Sequence, residues 1–146
     1  MNLLFLVHLG STLAMAGVIW FVQVVQYPLF ATVGAAQFAA YEIAHAQRIS
    51  FVVVPLMLAE ACTAAVLAWT RPAGLSPTLL VIGLVLVGLI WLSTFLVQVP
   101  LHDILARGFD ADAHRRLVAS NWIRTSLWSV RAVLVLALAA SWFPAH

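Results

Sequence analysis

The sequence predicts an all-α integral membrane protein, a four-helix bundle built from two parallel two-helix repeats. Of its 146 residues, 64% are hydrophobic and 8% are charged, whereas ordinary soluble domains have about 25% charged residues. The apolar residues form four runs, each close to the roughly 20 residues that a helix needs to cross a bilayer. Residues 25–29, Val-Gln-Tyr-Pro-Leu, return almost unchanged as Val-Gln-Val-Pro-Leu at residues 97–101. We therefore expect one transmembrane domain over residues 1–146, divided into hairpins 1–74 and 75–146.

The first hairpin should contain two crossings. The first apolar run covers residues 3–27, and Pro28 should end or kink it because proline lacks a backbone donor and disfavours helical geometry in the preceding residue. Residues 30–46 are expected to form a short helix at the membrane interface. A second crossing is expected over residues 48–69, and the turn at residues 71–77, which contains proline and glycine, joins the two hairpins.

The second hairpin follows the same plan. The third crossing is expected over residues 78–99, where Pro100 should end it. The charged residues of segment 102–116 predict the main water-facing loop, and the fourth crossing should span residues 118–143. Since each hairpin crosses twice, the two copies share one orientation, as parallel repeats do in some transport proteins.

Charge and cysteine content limit the partners that the chain can have. The net charge of +2 arises from seven basic residues, all of them arginine, and this excess is too small for a nucleic-acid-binding surface. The single cysteine, Cys62, excludes an internal disulfide and a Cys-x-x-Cys redox pair. The lipid bilayer is therefore the expected partner.

The distribution of arginines predicts the orientation in the membrane. Arg48, Arg107, Arg115 and Arg116 lie in or beside the segments that follow Pro28 and Pro100, whereas Arg71 lies at the opposite side. The positive-inside rule then places the loops after the two prolines in the cytoplasm and both termini outside. We expect the protein in the inner membrane of a bacterium.

Polar side chains within the crossings predict an intramembrane cluster. Ionisable residues at such depth are expensive and usually face the bundle interior. The members expected from helical spacing are His8, Gln26, Glu60, Trp128 and Arg131. Two interpretations carry equal weight: Glu60 and Arg131 form a buried ion pair that fixes helix packing, or the cluster has a function such as proton relay.

A second constellation is expected at the cytoplasmic ends of the crossings. His45 and Arg48 are three residues apart and would present an imidazole and a guanidinium to the same place on a helix. Together with His102, Asn121 and Arg124, they could move a proton and hold an anionic oxygen. The competing interpretation is that the arginines bind lipid phosphates and that His45 is an interfacial residue.

A metal or haem site is an alternative use of part of this set. Four side chains could supply ligands, namely His45, His102, Asp103 and His114, as histidines of facing helices do in bundle proteins. No pair among them has the His-x-x-x-His spacing that makes a metal site specific. The sequence leaves the cofactor open between none, haem and a metal ion.

The second hairpin resembles a known family. Val99–Leu105, Val-Pro-Leu-His-Asp-Ile-Leu, and residues 120–125, Ser-Asn-Trp-Ile-Arg-Thr, are similar to segments of the anthrone oxygenase-like group, small four-helix membrane proteins within a large, mostly uncharacterised family. The resemblance implies oxidation of polycyclic phenolic anthrones to quinones without a recognised cofactor. It carries over to His102, Asn121, Trp122 and Arg124. Where the family commonly has an Asn-type pair after the proline, this chain has His102 followed by Asp103.

These observations favour a membrane protein that binds a small, flat, hydrophobic molecule in a polar pocket between the repeats, as an oxygenase or another redox enzyme. His45 or His102 would then act as the base. Arg48 and Arg124 would stabilise the developing oxyanion, while Glu60 would tune the charge of a neighbour. Two other classes stay open: a haem-, metal- or quinone-binding electron-transfer protein, and a small transporter or non-enzymatic membrane subunit. A homo-oligomer is compatible with each of them.

Overall fold

Four long helices form the structure, a computed structural model in which residues 2–142 are described. They are α1 (Asn2–Phe21), α2 (Ala35–Thr70), α3 (Pro77–Ser93) and α4 (Ala111–Trp142). Each helix packs against the next along the chain, and α4 packs against α1, so the helices close into a bundle. No strand occurs within residues 2–142. The all-α four-helix fold predicted from the sequence is confirmed.

All four helical stretches are long and apolar enough to cross a membrane. They cover Leu3–Thr32, Ala35–Thr70, Pro77–Leu105 and Ala111–Trp142, with mean hydropathy values between 1.5 and 2.7. Large apolar side chains such as Phe51, Leu96 and Val133 are exposed on the outside of the bundle, where lipid can cover them. The chain is therefore an integral membrane protein whose apolar surface suits contact with the bilayer.

Pro28 and Pro100 do not end their helices, so this sequence-based expectation is wrong. The first helix continues beyond α1 through three further helical turns: the π-helical Val22–Gln26, the α-helical Tyr27–Leu29 and the 3₁₀ turn Phe30–Thr32. The third continues beyond α3 through the π-helical turn Thr94–Gln98 and the α-helix Val99–Leu105. Both prolines therefore lie within continuous helical stretches, and neither is in a loop.

A π-helical turn before each proline explains why the helix survives it. Proline has no N–H to donate, and in a regular α-helix its ring clashes with the carbonyl four residues earlier. In the wider turn, each backbone N–H donates to the carbonyl oxygen five residues earlier instead of four. The Tyr27 N–H donates to the Val22 carbonyl, and the Val99 N–H donates to the Thr94 carbonyl. This shift moves the carbonyls away from their regular α-helical positions, which lets the chain pass the proline without a break.

The two π-helical turns occupy the same position relative to their prolines. They add a second shared feature to the repeated pentapeptide around Pro28 and Pro100. The division of residues 1–146 into duplicated hairpins 1–74 and 75–146 stays a prediction, and Met1 and residues 143–146 lie outside the described part of the chain.

Two other segments differ from the sequence-based expectation. α2 is a single helix of 36 residues, so residues 30–46 form no separate interfacial helix. Its non-helical connection to the first helix consists of Val33 and Gly34. The expected loop over residues 102–116 is also shorter, because the chain stays helical to Leu105 and resumes at Ala111.

The start of α4 can be traced to one side chain. The Asp110 carboxylate accepts a hydrogen bond from the Ala113 N–H at 2.8 Å, which satisfies one of the free donors of the first turn. This cap explains why α4 begins before residue 118, where the sequence placed it. Phe143, expected to end the fourth crossing, lies outside the described residues.

The turn between the hairpins agrees with its sequence pattern. Arg71 ends α2 in the left-handed conformation with φ of 43°. Gly74 has φ of 92°, a value that glycine adopts at no steric cost. The side chain of Ser76 accepts a hydrogen bond from the Leu79 N–H, and Pro77 occupies the first turn of α3, where its missing donor does no harm.

The core consists of three apolar layers along the bundle axis. The layer near the termini contains Phe5, Leu67, Leu80 and Leu138. The middle layer contains Met15, Met57, Ile90 and Trp128, and the layer at the opposite end contains Phe30, Phe38, Leu105 and Leu117. Buried polar side chains lie between successive layers, and these two polar levels contain the candidate functional residues.

Candidate functional site

A cavity of about 310 Å³ lies between α1, α2 and the stretch Pro77–Leu105. This volume is at the lower end of the range for small-molecule sites. Its walls are mostly apolar, with Met15, Ile19, Val22, Val53, Met57 and Trp91 among them. Its chemically versatile side chains gather at one end, which we call the polar end; they are Tyr27, His45, His102, Asp103 and Arg124.

A chain of three hydrogen-bonded side chains forms the centre of the polar end. Nδ1 of His102 lies 2.5 Å from Oε1 of Glu42, and Nε2 lies 2.9 Å from the Tyr27 hydroxyl. When Nδ1 donates to the Glu42 carboxylate, Nε2 of the neutral ring is left to accept from the Tyr27 hydroxyl. Glu42 is completely buried, and Tyr27 is 3% exposed. The chain thus links a phenol at the cavity wall to a buried carboxylate.

Arg124 supplies the positive charge of the polar end. Its guanidinium interacts with the Tyr27 hydroxyl and donates to Oδ1 of Asn121 at 3.2 Å. Nδ2 of Asn121 in turn donates to Oε1 of Gln23 at 2.9 Å, which orients the amide. Arg124 is 6% exposed, and it forms no salt bridge within residues 2–142. Its charge is therefore available to an anionic oxygen in the cavity.

The helical irregularities position these groups. Tyr27 directly follows the π-helical turn Val22–Gln26, and His102 lies in the α-helix that follows the π-helical turn Thr94–Gln98. Both turns bring their helices to the polar end without a break. Below it, the ring of Phe30 packs edge-on against His45, with centroids 5.0 Å apart. The apolar layer thus supports the imidazole from one side.

The five predicted catalytic residues do not form one group. His45, His102 and Arg124 line the cavity, and Asn121 is buried behind Arg124. Arg48 is exposed and does not line the cavity, so the structure places the two residues paired by their spacing, His45 and Arg48, in different surroundings. Trp122, which the family resemblance added, is 46% exposed and packs edge-on against Trp20.

The predicted intramembrane cluster is found in part. Arg131 forms a buried ion pair with Glu60 and lies 3.3 Å from Nε2 of His8. Nδ1 of His8 is 2.9 Å from the Thr63 hydroxyl. The cluster lies in the polar level between the terminal and middle layers, away from the cavity, so Glu60 does not tune a cavity residue directly.

Gln26 and Trp128 lie outside this cluster. Gln26 donates to the Tyr41 hydroxyl at 2.6 Å near the polar end. Trp128 is completely buried in the middle apolar layer, and its indole N–H has no partner among the described residues. Gln26 lies too far along its helix to reach the cluster, whereas Trp128 shares the helical face of Arg131 but lies one turn away from it.

The four predicted metal ligands do not converge. Within residues 2–142, no three His, Cys, Asp or Glu side chains form a group that could hold a metal ion. The rings of His45 and His102 are 6.1 Å apart, and Nε2 of His114 is 2.8 Å from the Tyr27 carbonyl oxygen. Asp103 is exposed at the edge of the cavity.

Sequence reasoning did not single out Glu42 or Tyr27. Glu42 was detectable, since it is an acid three residues before His45 in a helix that the sequence places near the membrane. Tyr27 was treated as a helix end because Pro28 follows it. Its role depends on the helix continuing past that proline, which the residue pattern does not reveal.

No known family matches the chain, and neither a curated protein nor a solved structure shows significant similarity to it.

Proposed function

We propose that this membrane protein binds a small, flat, hydrophobic molecule through a phenolic or ketone oxygen in the cavity, and that it oxidises this molecule. One observation carries the proposal: the chain Glu42–His102–Tyr27 meets Arg124, which has no salt bridge among the described residues, at one end of a mostly apolar cavity. Apolar walls with a few converging polar groups are typical of small-molecule sites.

The polar end suits the removal of a proton from such a molecule. The Tyr27 oxygen can accept the proton of the ligand as its own proton moves to Nε2 of His102. Glu42 stabilises the imidazolium that results, because its carboxylate lies 2.5 Å from Nδ1. Arg124 stabilises the oxyanion that develops on the ligand. Glu42 is in this scheme a positioning residue, whereas Tyr27, His102 and Arg124 contact the ligand or the moving proton.

An anthrone fits this chemistry, and the resemblance of the second hairpin to the anthrone oxygenase-like group supports this substrate class. Loss of a proton from the methylene group converts the ketone to an enolate, whose oxygen would lie beside Arg124. Molecular oxygen then accepts the electrons of the enolate. The methylene becomes a carbonyl group, and one oxygen atom leaves as water, so that anthrone and O₂ give quinone and water.

Purified protein in lipid nanodiscs tests the proposal with a polycyclic phenolic anthrone as substrate. We expect O₂ uptake and formation of the quinone, followed by its absorbance. His102→Gln should lower kcat by roughly 100-fold, because general base catalysis typically contributes about that factor or more. Tyr27→Phe should produce a similar loss. Arg48→Gln is the matched control, since it removes an exposed charge near the same end of α2 and should leave kcat unchanged.

A binding protein for quinones is the second candidate, because the Arg124 guanidinium is a donor that suits a carbonyl oxygen. Tight binding of the quinone without O₂ uptake would support it over the oxidase. The absorption spectrum of the purified protein tests the haem alternative, since a Soret band would identify a bound haem. If neither anthrone nor quinone binds, the proposal is wrong.

A further inference from the structure

The cavity has a mouth on the outer surface of the bundle. Five of its lining residues are exposed. Asp103 is at the polar end, and the other four border the mouth: Ser50 and Val54 on α2, and Phe95 and Val99 on the opposite helix. The members of each pair are one helical turn apart, so they form two parallel edges. Phe95 is 57% exposed, and Val54 is 47% exposed. These residues lie within the stretches able to cross the membrane, so the mouth opens toward lipid.

The two helices that border the mouth meet at both of its ends. α2 packs against α3 on one side of the opening and against Val99–Leu105 on the other. Between these contacts lies the π-helical turn Thr94–Gln98, whose wider course departs from that of a regular helix. The opening is thus a lateral slot in the bundle wall.

Most polar groups of this slot lie at one end or are already bonded, whereas the buried Trp91 indole N–H at the other end has no partner among the described residues. The Ser50 hydroxyl donates to the Ala46 carbonyl oxygen at 2.7 Å, and the Thr94 hydroxyl donates to that of Ile90 at 2.8 Å. Gln98 is likewise occupied, because it accepts from Ser93 and donates to Ser120. The wall away from the polar end therefore presents an essentially apolar surface. From Trp91 to His102 this wall is about 16 Å long at the helical rise of about 1.5 Å per residue.

We propose that the occupant is a membrane-dissolved amphiphile, a phenol or quinol ring with an apolar tail, which enters sideways between Val54 and Phe95. This inference rests on the proposed function and specifies its substrate class. The ring lies at Tyr27, His102 and Arg124, and the tail follows the apolar wall toward Trp91. A tail-less ring would fill the polar end and leave the rest of the slot to lipid chains.

Binding in nanodiscs tests this with a benzoquinol that carries a decyl tail and with the same ring carrying a methyl group. Quenching of tryptophan fluorescence reports binding. Because lipid is as apolar as the cavity wall, the decyl tail also favours the bilayer. Both affinities are therefore compared at equal mole fraction of compound in the lipid. We expect the decyl compound to bind roughly tenfold more tightly on this scale. Tyr27→Phe should weaken the binding of both compounds.

The mouth is tested separately by association kinetics. Val54→Trp narrows it and should lower the association rate of the decyl compound roughly tenfold, whereas Phe95→Ala widens it and should not slow association. Val52→Trp is the control, because Val52 is exposed on the same helix and does not line the cavity. If the tryptophan introduced by Val54→Trp impairs folding, Phe95→Ala still tests the mouth.

The outcomes separate this inference from the proposed function. Equal affinities of the two compounds, with equal rates for Val54→Trp and Val52→Trp, would overturn the inference and leave ring binding at the polar end intact. If neither compound binds while anthrone is still oxidised, the inference alone is wrong. If anthrone is not bound either, both the inference and the proposed function are wrong.

Discussion

Glu42 and His102 are hydrogen-bonded at 2.5 Å, although they come from different hairpins. Glu42 is completely buried in α2, and His102 lies in Val99–Leu105 at the end of the third helical stretch. The bond joins these two helices at one end of the lateral slot and also fixes which imidazole nitrogen faces Tyr27. A single contact therefore contributes to both stability and the proposed chemistry, and substitutions of Glu42 should separate the two contributions.

Glu42→Gln should keep the shape of the side chain while it removes the charge that stabilises protonated His102. We expect a loss of about 1 kcal/mol in the free energy of unfolding but a loss of roughly 100-fold in anthrone turnover. Glu42→Ala should reduce stability by about 3 kcal/mol, because it leaves His102 without its buried partner. Thermal unfolding in detergent and O₂ uptake measure the two effects.

Asp112 provides the control for these substitutions. Its carboxylate pairs with Arg115 at the surface, where both side chains are largely exposed. Asp112→Ala should therefore change the free energy of unfolding by less than about 0.5 kcal/mol. If the activity of Glu42→Gln and of Glu42→Ala falls only in proportion to the loss of stability in each variant, Glu42 has only a structural role.

Substitutions of Glu60 and Arg131, which form a buried ion pair, should have strongly coupled effects on the free energy of unfolding. Arg131→Met leaves the Glu60 carboxylate without its partner in an apolar surrounding, and we expect it to reduce the free energy of unfolding by about 3–5 kcal/mol. Glu60→Met should have a similar effect. The double variant should recover most of the stability, since it leaves no buried charge. Additive losses in the double-mutant cycle, measured by unfolding in detergent, would contradict direct coupling.

Gly83 makes room for this ion pair. A Cβ atom at Gly83 would lie 2.6 Å from a terminal nitrogen of the Arg131 guanidinium, so Gly83→Ala must displace a buried charged group. We expect a loss of about 1–3 kcal/mol in the free energy of unfolding. Gly88→Ala in the same helix meets no atom within 4 Å, and it should stabilise the protein by up to about 1 kcal/mol. If Gly83→Ala were more stable than Gly88→Ala, Gly83 would not have this packing role.

The fold could be predicted largely from composition, because four long apolar runs separated by turn residues leave few alternatives. The pairing of Glu60 with Arg131 could be predicted from their depth in the membrane, because the helical rise places both side chains at the same level of the bundle. The turn at residues 71–77 was evident from its prolines and glycine. These features depend on local sequence or on helical rise alone.

The polar end could be predicted only in part, because it depends on helical irregularities. Pro28 and Pro100 signalled helix ends, yet the π-helical turns before them let the helices continue and place Tyr27 and His102 inside the bundle. A π-helical turn leaves no clear mark in residue type. Glu42 also lay in a segment expected at the interface, so its burial was not anticipated.

Cysteine labelling should determine the orientation, which stays a prediction. In a Cys62→Ser background, Arg107→Cys lies in the connection before α4, and Ala73→Cys lies in the turn between the hairpins. If the positive-inside rule holds, a membrane-impermeant maleimide should label residue 73 in intact cells and residue 107 only after the cells are lysed. The reverse pattern would place both termini in the cytoplasm.

Deletion of Leu96 should show whether the π-helical turn Thr94–Gln98 absorbs one extra residue before Pro100. A π-helical turn contains about one residue more than an α-helical turn, and Leu96 is 67% exposed, so its loss removes no core side chain. The deletion should convert the turn to regular α-helix and leave the rotation of the following residues unchanged, so that His102 keeps Glu42 and Tyr27. The Pro100 ring would then meet the carbonyl four residues earlier. We expect the free energy of unfolding to fall by roughly 3 kcal/mol and quinol binding to be retained.

The matched control is deletion of Ala73, which also shortens the chain by one residue but lies in the turn between the hairpins. A loop should absorb this change with a smaller effect on stability, because no proline enters a regular helix. Unfolding in detergent and fluorescence quenching by the quinol measure both variants. Loss of quinol binding by the Leu96 deletion would mean that the residues after it rotate, and that the wider turn itself is needed to position His102.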